Sequence, residues 1–266
     1  MFEEFLEEIA QENALREVNT SLKLAAGLGA LLLSLLSIGY VAPLFIAVVL
    51  SGAILLLARI DPYTYAELFA TPLSFAGLSV VAILLLSGGT GALWSWQPLP
   101  WLALSVTPGS INQGVYAFCR VLGGTSALLF IALTTPMTDL FVVMRRCRVP
   151  VVLVELMTIV YRTIFILLDH LARCYHAQVM RLGYSTRQET LRSLSTLCGA
   201  VFIASWNAGE DLVRARDLRC YDGKLVVLGE NSPVELRPAL AVAGFLVAAA
   251  CVTVLTGDVA IVRGGP

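Results

Sequence analysis

Residues 22–58 read LKLAAGLGALLLSLLSIGYVAPLFIAVVLSGAILLLA, and this stretch decides the class of fold. Lys23 is its one charged residue, and a break at Gly39-Tyr40 separates the apolar runs Leu22–Ile38 and Val41–Ala58. Apolar runs of about 17–25 residues are long enough to cross the hydrocarbon core of a bilayer as helices. The stretch therefore predicts two membrane-spanning helices joined by a very short turn.

The composition of the whole chain is that of a membrane protein. Apolar residues make up 58% of the 266 residues and charged residues 14%, whereas globular proteins average about 45–50% and about 25%. So few charges could not cover the surface of a soluble protein of this length. The net charge of −1 provides no general attraction for nucleic acid. We predict a single all-α, polytopic membrane domain over residues 1–266, in contact with the lipid bilayer and with no nucleic acid partner.

Later parts of the chain contain further apolar runs. Three of them predict three more spans: Pro72–Ser87, about Gly114–Thr135 and Ala239–Thr256. Spans one to four then lie within residues 22–135, and the last span occupies residues 239–256. Val151–Leu168 and Leu191–Trp206 are also apolar but carry or adjoin charges, and we interpret them as membrane-associated helices. The acidic, amphipathic residues 1–21 are predicted to be a cytoplasmic N-terminal segment.

The placement of basic residues predicts the orientation of the chain. No Lys or Arg occurs from Ile60 to Cys119, so the loop at about residues 88–113 is predicted to lie outside. Residues 145–224 hold twelve of the eighteen Lys and Arg residues and therefore belong in the cytoplasm. With five spans, the N-terminus lies inside and the C-terminus outside.

A long helix is predicted within this basic region, over Val151–Met180. At 1.5 Å per residue it would be about 45 Å long, which exceeds a hydrocarbon core of about 30 Å. Glu155, Arg162, Asp169 and His176 recur every seven residues and form one polar stripe on it. The stripe has a structural interpretation, in which it faces the bundle or the cytosol, and a functional one, an intramembrane charge relay. We favour the structural interpretation because the stripe leads out of the membrane.

Two similar segments follow each other at a spacing of 38 residues. The first arginine motif comprises Ala177, Met180, Arg181, Leu182 and Gly183, and the second comprises Ala215, Leu218, Arg219 and Cys220. Each copy has Ala, three residues, Arg and then a nearby Tyr, and each ends a helix-compatible stretch. Two such cationic helix ends suit an acidic groove on a two-fold symmetric partner. The alternative is ordinary cytoplasmic arginines, with Asp169–Arg173 and Glu210–Arg214 as surface ion pairs.

Sequence signatures of catalysis and metal binding do not occur. GxSxG, HExxH and Walker A sequences are missing. The spacings of Asp211, Asp217 and Asp222 do not put the three carboxylates on one helical face. No two of the six cysteines are closer than 22 residues, which excludes a CxxC pair. We therefore predict a non-catalytic protein without a metal site.

At these and several other positions the chain resembles the transmembrane T component of energy-coupling-factor transporters, and most of all the cobalt-type CbiQ family. The resemblance covers most of the chain, and the order of the motifs makes it specific. Besides the two arginine motifs, it is carried by LREVNTSLKL at Leu15–Leu24, Gly123–Ser126, TTPMTDL at Thr134–Leu140, Arg148–Pro150, Glu155–Met157 and Tyr161-Arg162.

The resemblance implies a coupling scaffold that has no catalytic residues and binds no cofactor. In such transporters, two ABC-type ATPase subunits bind ATP and Mg²⁺ and dock onto two long cytoplasmic coupling helices. Closure of the ATPases moves these helices, and the movement reaches a separate substrate-binding membrane subunit, the S subunit. By position, Arg181 and Arg219 take the coupling role. The commonest motif is Ala-Arg-Gly, and this chain has Leu182 and Cys220 in place of the glycine.

The resemblance also implies a cargo and a location. It favours cobalt ions, a cobalt-type S subunit and the cytoplasmic membrane of a bacterium or archaeon. The T component of a nickel or vitamin transporter is an alternative within the same family of machines. A stand-alone secondary transporter or channel is the alternative from a different class, and it would move its substrate without other subunits.

Arg120 is a further charged residue within a predicted span. Its guanidinium is expected either to snorkel to the outer interface or to contact the S subunit. Gly123 and Ala127 form a small-xxx-small step that would let a neighbouring helix approach closely.

Overall fold

The computed structural model of the protein describes residues 10, 13–16, 18–37, 39–86, 94–99, 102–220 and 235–256. These residues fall into two compact units. The first unit draws on residues 1–140 and 231–266, and the second on residues 141–230.

In chain order the elements are α1 (Thr20–Leu36), α2 (Val41–Gly52), a π-helical turn (Ala53–Leu57), α3 (Pro62–Leu86), β1 (Trp94–Leu99), β2 (Leu102–Val106), α4 (Pro108–Thr134), α5 (Met137–Arg146), α6 (Val151–Met180), α7 (Arg187–Leu218) and α8 (Leu236–Leu255). Each of the five predicted spans coincides with a helix, namely α1, α2, α3, α4 or α8. Of the described helices, α3, α4, α6 and α8 are long and apolar enough to cross a membrane, and α1 and α2 are shorter apolar helices. The predicted helical, polytopic membrane class is confirmed.

The third span has an earlier start than predicted. Helix α3 begins at Pro62 and contains Pro72, where the sequence analysis began the span. The Asp61 carbonyl accepts the first helical bond, from the Tyr65 N–H (3.1 Å), and proline is favoured at the first helical position. The apolar run marks the part of the helix suited to hydrocarbon, whereas Asp61-Pro62 marks where the helix starts.

Helix α4 also starts earlier, at Pro108 instead of Gly114. Thr107 and Ser110 form a capping box at this end, with each side chain bonded to the backbone N–H of the other residue (3.0 and 3.1 Å). The sequence Thr-Pro-x-Ser was the local signal for this start. Helix α8 similarly begins at Leu236, three residues before the predicted span.

An antiparallel hairpin of β1 and β2 was not predicted. It pairs Trp94 with Val106, Ser95 with Ser105 and Trp96 with Leu104. The hairpin lies within the loop at residues 88–113, whose Gly and Pro content indicated irregular structure. The alternation of apolar and hydroxyl residues in Trp94-Ser95-Trp96 is a period of two, which is typical of strands.

Small residues allow α1, α2 and α4 to pack closely in the first unit. A Cβ added at Gly123 of α4 would lie 2.7 Å from Ser34 Oγ in α1 and 2.8 Å from the Pro43 carbonyl oxygen in α2. Gly27 of α1 similarly has no space for a side chain on its α4 side. Ala127, one turn after Gly123, is fully buried. The predicted close approach at the Gly123–Ala127 step is confirmed.

Helix directions in the first unit follow from a few contacts. Lys23, near the start of α1, contacts Thr134 at the end of α4, so these helices are antiparallel. Gly29 of α1 packs on Leu246 of α8, and Gly39 contacts Thr256 at the end of α8, so α1 and α8 are parallel. The start of α1 and the end of α8 therefore lie at opposite ends of the unit, as five spans require. Which end faces the cytoplasm stays a prediction.

The second unit contains α6, α7 and the last part of α5. Helix α6 has the predicted bounds, whereas α7 extends well beyond the apolar segment Leu191–Trp206 at both ends. Thr186 caps the start of α7, because its hydroxyl accepts a hydrogen bond from the Glu189 N–H (3.3 Å). The final turns of α7 are rich in charge. An apolar run therefore marks only part of a helix that continues into polar surroundings.

Candidate functional site

The first arginine motif forms the C-terminal end of α6. The helix ends immediately before Arg181, its C-cap. The Gly183 N–H donates to the Gln178 carbonyl (3.0 Å), and the Leu182 N–H donates to the Val179 carbonyl (3.0 Å). This pair of bonds is a Schellman motif, in which the residue after the C-cap has a left-handed backbone. Leu182 accordingly has a φ of 58°.

The second arginine motif ends α7 in the same way. The helix stops immediately before Arg219. The Cys220 N–H donates to the Asp217 carbonyl (3.1 Å), and Cys220 has a φ of 50°. The two motifs therefore share one backbone conformation as well as one sequence pattern. Tyr221, the tyrosine of the second copy, lies outside the described residues.

The shared backbone gives a reason for the glycine of the commonest motif. Glycine adopts positive φ without steric cost and is the usual residue at this position of a helix end. Leu182 and Cys220 adopt the same conformation, although a Cβ there costs about 1–2 kcal/mol. Replacing the glycine therefore leaves the course of the backbone intact and adds a side chain to each motif.

Contacts between α6 and α7 hold the first motif in place. Ser193 Oγ donates to the Gly183 carbonyl (2.7 Å), and Gln178 Nε2 donates to the Ser193 carbonyl (3.1 Å). The Tyr184 hydroxyl donates to Gln178 Oε1 (2.8 Å), and its ring packs on Tyr175 at 5.1 Å. A Cβ at Gly183 would lie 2.6 Å from Ser193 Oγ. A side chain at Gly183 would therefore displace the Ser193 hydroxyl from the Gly183 carbonyl, and the turn that carries Arg181 is held by side-chain contacts.

Both motifs lie on the surface of the described part of the chain. Arg181 and Arg219 are exposed, and neither has an acidic partner within 4 Å among the described residues. Ala177 and Ala215, one turn earlier, are exposed as well. Apolar side chains beside the arginines are highly exposed: Met180 (85%), Leu182 (75%) and Leu218 (86%). Each motif thus offers a guanidinium between apolar neighbours, which suits a groove with acidic and apolar parts.

The residues of the polar stripe predicted on α6 differ in their exposure to solvent. Glu155 is 6% exposed, whereas Arg162, Asp169 and His176 are exposed. Asp169 is engaged with Arg173, one turn further along the helix. A charge relay needs its polar groups to follow one path inside the protein. The different exposures therefore favour the structural interpretation of the stripe.

Two surface ion pairs expected from helical spacing are present. Arg173 pairs with Asp169, and Arg214 pairs with Glu210 (3.1 Å). Arg214 also lies 3.7 Å from Asp211. The side chains are about half to three-quarters exposed, so such pairs add little stability. These arginines are compensated within their own helices, in contrast to Arg181 and Arg219 as the described residues show them.

Among the described residues, no group of three or more His, Cys, Asp and Glu side chains is placed to hold a metal ion. All six cysteines are free thiols. Cys174 Sγ lies 3.6 Å from His170 Nε2, but two side chains are fewer than the four ligands of a typical structural zinc site.

Side chains near the N-terminus cap the end of α4, a role that the sequence analysis did not assign. Lys23 Nζ donates to the Thr134 carbonyl (3.0 Å), and Asn13 Nδ2 donates to the Leu133 carbonyl (3.1 Å). Carbonyls in the last turn of a helix have no partner within the helix. Lys23 is 3% exposed and Asn13 7%. In the sequence, the signal for this capping role was a single lysine at the edge of an apolar run.

Arg120 of α4 caps the opposite end of α1. Its guanidinium donates to the Leu35 carbonyl and to the Ser37 carbonyl (3.2 Å), and it lies 4.7 Å from the ring centroid of Tyr116. A cation at the C-terminal end of a helix is favoured by the helix dipole. The side chain thus extends towards the end of α1, as expected for snorkelling, and its guanidinium binds the carbonyl oxygens there. Its contact with an S subunit stays a prediction.

Comparison with known proteins gives a consistent set of relatives. The family model CbiQ, described as cobalt transport protein, matches residues 11–228. A Methanocorpusculum labreanum protein named as a fused cobalt transport protein, CbiMQ, is 35% identical over 92% of this chain and 41% of its own length. An uncharacterised protein of Methanocaldococcus jannaschii is 34% identical over 95% of this chain and 94% of its own. The cobalt transport protein CbiQ of Rhodobacter capsulatus is 27% identical over 92% and 96%. This chain therefore spans less than half of the fused relative and nearly all of the other two.

Proposed function

Since this chain belongs to the CbiQ family of cobalt transport proteins, we propose that it is the T component of an energy-coupling-factor importer for cobalt ions. In this role it binds two ABC-type ATPase subunits, which carry the ATP and Mg²⁺. It passes their conformational change to a separate, cobalt-type S subunit. The chain itself has no catalytic residue and binds no cofactor.

One observation carries the proposal. Two long helices, α6 and α7, end in exposed arginines with the same backbone conformation, 38 residues apart. Two matching docking points suit two copies of an ATPase. Each guanidinium would enter an acidic groove, and the apolar residues directly before the arginines, Met180 and Leu218, would pack around its rim. Removing one partner of such a buried charge pair costs about 2–5 kcal/mol.

The relatives support the cargo and the second membrane partner. Two of them are named as cobalt transport proteins, so we propose cobalt ahead of nickel or a vitamin. More than half of the fused relative lies outside the part that matches this chain. Its name, CbiMQ, contains an M in addition to the Q of CbiQ. For this chain we propose a separate S subunit that binds the cargo.

The proposed orientation follows the basic residues. The arginine motifs lie on the cytoplasmic side of a bacterial or archaeal cytoplasmic membrane, with the N-terminus inside and the C-terminus outside. A stand-alone transporter or channel would need a polar path through several helices. Lys23 and Arg120, charged residues within the spans, are instead engaged in capping helix ends.

The test is a pull-down from detergent with this chain tagged and co-expressed with its ATPase and S subunits. The wild type is compared with Arg181→Glu/Arg219→Glu. The matched control is Arg173→Glu/Arg192→Glu, which makes the same charge change at exposed positions of the same two helices. We expect the ATPase to co-purify with the wild type and the control and to be lost from the motif variant. Transport by the motif variant is expected to be abolished.

Two results would contradict the proposal. A well-folded wild-type chain that recovers no ATPase would favour a stand-alone transporter. Equal loss of the ATPase from the motif and control variants would show that Arg181 and Arg219 contribute only general positive charge on the cytoplasmic side.

A further inference from the structure

A buried polar cluster ties three helices together in the first unit. The Lys23 ammonium of α1 donates to the Thr134 carbonyl at the end of α4 (3.0 Å). The hydroxyl of Thr20, one turn earlier in α1, donates to Asp139 Oδ2 in the first turn of α5 (3.5 Å). Two neighbouring side chains of α1 therefore hold the end of α4 and the start of α5.

The α1 and α4 residues of the cluster are buried, whereas Asp139 is half-buried. Thr20 and Lys23 are each 3% exposed, and Thr134 is fully buried. The Asn13 amide borders the cluster and donates to the Leu133 carbonyl. Buried polar groups need partners such as these, yet apolar residues of similar volume often give equal or greater stability than a buried charge. Stability alone therefore does not explain a lysine in this apolar helix.

Helix α5 leads from the cluster into the second unit. Asp139 belongs to the first unit, and Phe141, two residues later in the same helix, belongs to the second. Phe141 is 7% exposed, and its ring packs on Tyr161 of α6 at 5.8 Å. Rigid secondary elements and packed side chains carry energetic coupling between distant sites. A displacement of α6 that moves Phe141 therefore reaches Asp139 through continuous helix.

We propose that Lys23, Thr20 and Asp139 form a latch that delivers movement of α5 to α1 and α4. The inference rests on the proposed coupling function and names positioning residues for it. Without the latch, the first turn of α5 would move independently of α1 and α4. ATP would then still be hydrolysed, but less of its free energy would reach α1 and α4.

The test uses the complete complex of this chain with its ATPase and S subunits in liposomes. Cobalt uptake and ATP hydrolysis are measured in the same preparation. Lys23→Met removes the charge and keeps the bulk, and Thr20→Val removes the hydroxyl and keeps the shape. We expect cobalt uptake per ATP to fall about tenfold, within the range of typical coupling free energies. ATP hydrolysis and the yield of assembled complex should stay near those of the wild type, and Lys23→Arg should restore much of the ratio.

Tyr116→Phe is the matched control for Thr20→Val. The Tyr116 hydroxyl of α4 also donates to α1, at the Ser37 carbonyl, but this contact lies at the opposite end of α1 from α5. If such hydrogen bonds serve stability alone, Thr20→Val and Tyr116→Phe should lower the melting temperature and the uptake alike. The latch predicts that uptake per ATP falls for Thr20→Val and not for Tyr116→Phe.

An unchanged uptake per ATP in Lys23→Met and Thr20→Val overturns the latch, and so does an equal fall in Tyr116→Phe. If the complex with Lys23→Met does not assemble, the latch is tested with Thr20→Val and Asp139→Asn, because each weakens the cluster without removing the lysine. Failure of the proposed function is distinguishable from these results. In that case the wild-type chain would bind no ATPase and would show no ATP-dependent uptake.

Discussion

Leu182 and Cys220 occupy the backbone region that glycine usually fills at the end of a helix. Hydrogen bonds from their N–H groups to Val179 and Asp217 keep them there. The conformation turns the chain away from the helix directly after each arginine, so each arginine is the C-cap, at the very end of its helix. The backbone conformation therefore positions the arginines, and the side chains at 182 and 220 are not needed for that position.

We expect Leu182→Gly to retain ATPase binding and Leu182→Val to weaken it. Glycine adopts positive φ freely, whereas a β-branched residue there is strongly disfavoured, so valine would unwind the cap and displace Arg181. Strain of this kind, about 1–2 kcal/mol, corresponds to roughly tenfold in affinity. The measurement is a titration of the detergent-solubilised chain with purified ATPase. Leu194→Val, at an exposed position inside α7, is the control and should bind as the wild type does.

Helices α1 and α4 satisfy each other's ends. Lys23 of α1 caps α4 at Thr134, and Arg120 of α4 caps α1 at Leu35 and Ser37. The two helices run antiparallel, so each C-terminal end, with its partial negative charge, faces a cation of the other helix. Carbonyls at helix ends are costly to leave unpaired inside a membrane. This reciprocal arrangement makes the pair a single rigid element of the first unit.

Close packing of the same helices predicts opposite effects of alanine at adjacent glycines. Gly123→Ala would drive a Cβ into Ser34 and the Pro43 backbone, and it should destabilise the chain by about 1–3 kcal/mol. Gly124→Ala meets no atom within 4 Å, and it should be neutral or stabilising by up to about 1 kcal/mol. Melting temperatures in detergent would measure both. Equal melting temperatures for the two variants would show that α4 does not approach α1 and α2 this closely.

In the proposed role, the whole molecule is a coupling subunit, and a separate S subunit binds the cargo. We therefore expect no cobalt flux in liposomes that contain this chain alone. Liposomes that also contain the ATPase and S subunits should take up cobalt, and only with ATP. Flux through the isolated chain would instead support a stand-alone transporter or channel, and uptake of nickel in preference to cobalt would change the proposed cargo.

Local sequence predicted part of the candidate site. The two arginine motifs were found as an internal repeat, and the bounds of α6 followed from its apolar periodicity. The left-handed backbone at Leu182 and Cys220 was not predictable from residue preference, because neither residue favours it. The hairpin was overlooked because a short alternation of apolar and hydroxyl residues was set among glycines and prolines.

Local sequence was sufficient to predict the membrane class, the apolar helices and the two motifs, because hydropathy, charge and helical period act over a few turns of one segment. The partners of Lys23, Asn13 and Arg120 became known only from the tertiary structure, because they lie 111, 120 and 85 residues away along the chain. A lysine in an apolar helix has the same local pattern whether it faces lipid headgroups or the end of another helix. Its partner depends on which helices pack together, and that packing follows from the fit of small residues such as Gly27 and Gly123 across the bundle.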